Sequence, residues 1–109
     1  MKLEFQLLGP MRVRRGKESL DLGRRAQRLV LGVLLLETGK PVSVSWLEEA
    51  LWGNSPPPNG RAILQTHISR LRRLLDPERD GRDGFRIVTR GSAYLVETDP
   101  GVGDGPRVR

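Results

Sequence analysis

Cysteine is absent from this chain of 109 residues, which removes disulfide staples, thiolate chemistry and cysteine-ligated metals together. Histidine occurs once, at His67, so no metal site can be assembled. Glu48 and Glu49 are neighbours pointing in different directions from a helix, a poor acid/base pair. With no nucleophile, metal or paired carboxylates in view, an enzyme is the least favoured class. Long apolar runs are missing too: Leu29–Leu36, broken by Gly32, falls far short of the ~20 residues of a membrane span. The N-terminus has no charged-then-apolar leader. The expectation is one small soluble cytoplasmic domain without cofactor, metal or membrane association.

The absence with most content is that of negative charge from Ala50 to Leu75, where Arg61, Arg70, Arg72 and Arg73 all occur. The whole chain has 19 Lys+Arg against 13 Asp+Glu, net charge +6 and pI about 11.0. A moderate excess concentrated in one segment points to a polyanionic partner, nucleic acid ahead of an anionic membrane surface.

That segment, Arg61–Leu75 (RAILQTHISRLRRLL), has helical periodicity. Leu64, Ile68, Leu71 and Leu75 recur as i, i+4, i+7, i+11 on one face, and Thr66, Ser69, Arg70 and Arg73 point the other way. Leu3–Leu7 and Met11–Arg14 alternate as strands around the Gly9-Pro10 break, and Ser19–Leu22 offers a third short strand. Arg24–Glu37 is helical and apolar over so much of its circumference that it should lie against both the sheet and later helices. Ser43 and Ser45 are both N-caps for a second helix, Ser45 at capping-box spacing from Glu48. Trp46, Leu47, Ala50 and Leu51 give that helix an inner face, and Trp46 and Trp52 are read as core. Residues Gly53–Gly60, with Pro56, Pro57 and Pro58, form a stiff loop. Phe85–Thr89 and Ala93–Glu97 make a hairpin around Arg90-Gly91-Ser92. The glycine-rich stretch 99–109 is a flexible tail or linker beyond a domain at 1–98. Its Gly101–Gly105 run follows a proline and precedes no helix, which removes it as a phosphate loop.

Helix, helix, loop, basic helix and basic hairpin is the order of an α+β winged helix-turn-helix: an N-terminal antiparallel sheet, three helices and a C-terminal β-hairpin wing. The DNA major groove, ~12 Å wide, admits one helix. Thr66 to Arg73 spans roughly 10 Å at about 1.5 Å per residue, enough to reach several adjacent base pairs. Thr66, Ser69, Arg70 and Arg73 are therefore the base-facing candidates, Arg70 first. Arg61, His67 and Arg72 sit toward the flanks, where phosphates are closer. Arg90 at the hairpin can enter a narrow, electronegative minor groove. The bland alternatives are a solvated amphipathic helix whose arginines aid solubility, an inert turn arginine at Arg90 and a space-filling His67.

Four segments in this order carry a family resemblance: LLGP at Leu7–Pro10, RRAQR at Arg24–Arg28, VSV…LEEALWG within Val42–Gly53, and LQTHISRLRRLL at Leu64–Leu75. Together they resemble the N-terminal domain of the Streptomyces antibiotic regulatory protein family, whose DNA-binding module is similar to the OmpR/PhoB type. TRGSAYLV at Thr89–Val96 looks like that type's wing. The resemblance implies a transcriptional activator of biosynthetic genes that binds direct repeats on double-stranded DNA as head-to-tail protomers and helps recruit RNA polymerase. It also implies polymerase contacts in the loop carrying Asn54, Pro56, Pro57 and Pro58. The competing expectation is a winged helix that docks on RNA polymerase with weak or no specific DNA binding.

Overall fold

A computed structural model describes residues 3–6, 11–79 and 84–98. The Gly9-Pro10 break, part of the charged loop before Phe85, and the 99–109 tail lie outside the described residues. The first alternating run becomes β1 (Leu3–Gln6), with Leu3 and Phe5 buried and Glu4 and Gln6 exposed. It pairs antiparallel with β2 (Arg12–Arg15), placing Phe5 opposite Val13. The third strand, β3, is Glu18–Ser19 rather than Ser19–Leu22. The Asp21 carboxylate accepts from the Gly23 amide at 2.9 Å, which turns the chain toward the first helix, while Leu22 leaves the sheet to be buried.

Helix α1 (Arg25–Leu36) buries Gln27, Val30, Leu31, Leu34 and Leu35. Its apolar residues do run most of the way round, but the covered part is narrower than that pattern implied: Leu29 is 41% and Leu36 77% exposed. A two-residue strand, β4 (Val42–Ser43), follows and pairs with a strand near the C-terminus, Val42 opposite Tyr94. That pairing selects between the two serine caps. Because β4 ends at Ser43, helix α2 (Val44–Trp52) starts directly after it, and the Ser43 hydroxyl accepts from the Trp46 amide at 3.0 Å. Ser45 lies inside the helix. The start point also decides the facing of α2: Val44 and Leu47 are buried, whereas Trp46 is 51% exposed and Trp52 half-buried. Trp46 is thus not a core residue.

Helix α3 (Gly60–Leu75) carries the predicted stripe inward: Leu64, Ile68, Leu71 and Leu75 are each essentially inaccessible. Strands β5 (Phe85–Arg90) and β6 (Ala93–Thr98) form the hairpin, and β4 adds to give a second sheet in the order β4-β6-β5. The two sheets meet through Phe5 and Phe85, with ring centroids 5.5 Å apart. From β2, the Arg15 guanidinium donates to the Leu74 carbonyl at 3.1 Å, tying the N-terminal sheet to the end of α3.

Candidate nucleic-acid interface

The buried stripe of α3 fixes what the rest of the helix presents. Arg61, Thr66, Ser69, Arg70 and Arg73 are all exposed, as the periodicity requires. Arg72 and Arg73 fall in the last turn, where positive charge complements the helix dipole. The Thr66 hydroxyl donates to the Ala62 carbonyl one turn back at 3.1 Å. Its proton is therefore engaged, which leaves an acceptor lone pair and a methyl group facing outward. Gln65 is exposed on the same surface and was not among the sequence candidates. Its i, i+4 spacing from Arg61 and Ser69 was the available signal, and a carboxamide can pair bidentately with adenine.

Arg72 does not project into solvent with its neighbours. Its Nε and Nη2 donate to the Ile87 carbonyl at 3.1 and 2.9 Å, Nη2 also donates to the Thr89 hydroxyl at 2.8 Å, and the guanidinium lies 6.0 Å from the Tyr94 ring centroid. Burial, with Arg79 nearby as a lesser cause, lowers its pKa. This arginine clips α3 to both strands of the hairpin. The sequence reading gave it a phosphate, because spacing on a helix cannot show that a strand passes beside it. Arg90 ends β5 opposite Ala93, so the tight turn itself is Gly91-Ser92, with Gly91 at φ +60°. Such positive φ is what a two-residue hairpin loop needs. The turn is pinned from behind by the Val44 amide, which donates to the Ser92 carbonyl at 2.9 Å. Arg90 is thus exposed on a hairpin held by both α2 and α3.

His67 is half-buried, with Nδ1 3.3 Å from the Gln27 side-chain oxygen. The Gln27 amide nitrogen donates to the Leu22 carbonyl at 2.9 Å, so its oxygen is the acceptor and the neutral ring carries its proton on Nδ1. Desolvation, and then the Arg70 charge, lower the His67 pKa below its ordinary 6.5. The unfolded chain binds this proton more readily than the folded one, so the contribution to stability is complete above about pH 6.5 and is lost as pH falls through the depressed folded value. Urea midpoints should accordingly drop more between about pH 8 and about pH 5 in the parent than in His67→Gln. Parallel pH profiles for the two proteins would remove this role.

The proline loop is seated at the root of α3. Gly53, at φ +62°, ends α2, and the Gly60 amide donates to the Pro57 carbonyl at 2.9 Å. A Cβ at Gly60 would stand 3.1 Å from the Trp52 ring and 3.6 Å from Pro57, so this glycine lets the helix start close against both. Pro57 is half-buried there, whereas Asn54, Pro56 and Pro58 are exposed. Among the described residues no group of three or more His, Asp or Glu side chains could hold a metal ion, and no helix is long and apolar enough to cross a membrane.

Residues 16–96 match the family described as "Transcriptional regulatory protein, C terminal". The chain is 37% identical to the regulatory protein AfsR of Streptomyces griseus, over 89% of its own length and 9% of that protein's. It is 34% identical to the transcriptional regulator RedD of Streptomyces coelicolor, over 96% and 30% respectively. It therefore spans less than a third of the length of these relatives. The solved structure of Mycobacterium tuberculosis EmbR, in complex with a low-affinity phosphopeptide, superposes with a TM-score of 0.83 at 31% identity, over 94% of this chain and 27% of that one. AfsR is named a regulatory protein, and RedD and EmbR are named transcriptional regulators. With three helices, antiparallel sheets and a hairpin wing among its described residues, the chain belongs to the OmpR/PhoB-type winged-helix family of transcriptional regulators, on the Streptomyces antibiotic regulatory protein branch.

Proposed function

We propose that the domain reads double-stranded DNA sequence-specifically, with α3 in the major groove and the β5–β6 hairpin against the adjacent minor groove. The observation that carries this is the exposed face of α3, where Thr66, Ser69, Arg70 and Arg73 stand together without an acidic side chain, beside a hairpin ending in Arg90. Arg70 takes a guanine through its planar fork, and Gln65 and Thr66 are in reach of neighbouring bases. Arg61 neutralises a phosphate, Arg73 stays among the base-facing side chains, Arg90 enters the minor groove, and His67 stays against Gln27. Arg72 acts through the wing, which it holds at a fixed angle to the reading helix.

A single small module buries limited DNA surface, so occupancy of direct repeats by head-to-tail copies belongs to the same proposal, as do activation of biosynthetic genes and polymerase contact through Asn54, Pro56, Pro57 and Pro58. Exposed prolines suit that last role because they are already low in conformational entropy. Phosphate neutralisation releases counterions, so log K should fall linearly with log salt, at a slope near −0.9 per contacted phosphate. Three or four contacts predict a slope of roughly −3 per domain. Titration of a selected operator from low to physiological salt measures it. Affinity indifferent to salt would favour the alternative, a polymerase-docking winged helix without specific DNA recognition.

A further inference from the structure

Among the described residues, the large apolar side chains left exposed are Leu29, Leu36 and Trp46. They lie on two separate surfaces. Leu29 and Leu36 line a groove of about 610 Å³ along α1, together with Gly32 and Val33, and Arg25 and Arg28 stand over it. Met11, just before β2, also lines it, and the Arg28 guanidinium donates to the Met11 carbonyl at 3.4 Å. Trp46 is not part of that lining. It stands on α2, a helix with Glu48 and Glu49 and no Lys or Arg, and Glu49 is exposed one turn from it.

One surface is thus apolar and basic, the other aromatic and acidic. We infer that they bind each other between copies of this chain, Trp46 of one molecule entering the α1 groove of the next while Glu49 faces Arg25 and Arg28. The inference rests on the proposed occupancy of direct repeats and names the surfaces that make it cooperative. Two unlike patches on one molecule give a heterologous contact, which propagates head to tail instead of closing a two-fold dimer. Copies on repeats one helical turn apart sit ~34–36 Å from centre to centre, and the molecule measures 39 × 28 × 28 Å, so neighbours on the same face of the duplex touch when the long axis runs along it and otherwise leave a gap of about 6–8 Å that side chains can span. One tryptophan in an open groove is too little to hold a dimer in dilute solution. On DNA the neighbour's effective concentration rises to the millimolar range, at which a weak contact counts.

The test measures binding to a duplex bearing two direct repeats of a sequence that the protein selects from random DNA, and to the same duplex with one repeat scrambled. The parent should fill the second repeat about tenfold more tightly than the first. Trp46→Ala and Leu36→Glu should each abolish that advantage and leave single-repeat affinity intact. Glu49→Arg should also abolish it, and Glu49→Arg combined with Arg25→Glu and Arg28→Glu should restore it, because every copy then carries the swapped pair. Cooperativity surviving Trp46→Ala and Leu36→Glu, or not returning in the charge swap, overturns the contact. In the free protein at millimolar concentration, the Trp46 indole and Leu36 methyl resonances should shift with dilution; shifts at neither position would leave the groove to a different partner and sink the proposal. Failure of the parent to bind even the single repeat would overturn the DNA-reading function, and the dilution measurement would still decide the contact.

Discussion

Replacing Leu71 by Ala is expected to lower the unfolding free energy by about 2–5 kcal/mol, a large part of the roughly 5–15 kcal/mol that holds a small domain together. Leu71 is fully buried and sits between Arg70 and Arg72, so the cavity opens beneath the reading face. At about 4–8 °C per kcal/mol for a domain near this size, the melting temperature should fall by about 8 °C or more. Leu36→Ala removes the same atoms from a residue that is 77% exposed and should change stability by no more than about 0.5 kcal/mol. Thermal melts of the pair check this. Equal effects would mean that α3 is not seated on its Leu64–Leu75 stripe.

The second large effect separates Arg70, which helical spacing turns toward the bases, from Arg72, which it turns toward a flanking phosphate. Arg70→Ala should cost about 1–3 kcal/mol of discrimination at one base pair, with little change elsewhere in the site. Arg72→Ala should weaken every sequence, because the guanidinium that grips Ile87 and Thr89 is gone and the wing loses its angle to α3. Lysine discriminates between positioning and phosphate contact. A phosphate contact is largely kept by Arg72→Lys, whereas a single ammonium cannot reproduce a fork that meets a backbone carbonyl and a hydroxyl while lying by a tyrosine ring. Arg72→Lys should therefore resemble Arg72→Ala. The Arg72→Ala and Arg90→Ala losses should also be less than additive, since both act through the wing. Full rescue by lysine with additive losses would return Arg72 to the phosphate backbone.

Much of the architecture was legible because it depends on local periodicity. Leu3 and Phe5 alternate, the α3 leucines recur at helical spacing, and the Arg90-Gly91-Ser92 stretch marks a hairpin turn, which the strand register narrows to Gly91-Ser92. Each of these is a short-range constraint, written within a few residues. The face of α3 offered to solvent followed directly, since naming the buried stripe names its opposite. The order of elements, hairpin included, followed from the same patterns, and family resemblance agreed with it.

What stayed illegible involves pairs of segments far apart in the chain. Whether Ser43 or Ser45 caps α2 depends on β4 pairing with Tyr94 and Ala93 of β6, and with that choice the facing of Trp46 is set. Hydrophobicity marks Leu29, Leu36 and Trp46 as core residues, yet burial depends on which neighbours arrive to cover them. Arg72 reads as one more cation until the hairpin is laid beside it.

The sequence by itself determined that a helix rich in arginine and free of acid would turn Thr66, Ser69, Arg70 and Arg73 away from a leucine stripe, because the 3.6-residue period of a helix leaves no other arrangement. Only the tertiary structure decided that Arg72 braces the wing and that, among the described residues, Leu29, Leu36 and Trp46 remain uncovered. Those outcomes depend on long-range backbone pairing, where a hydrogen bond or a buried face is supplied by a strand or helix tens of residues away.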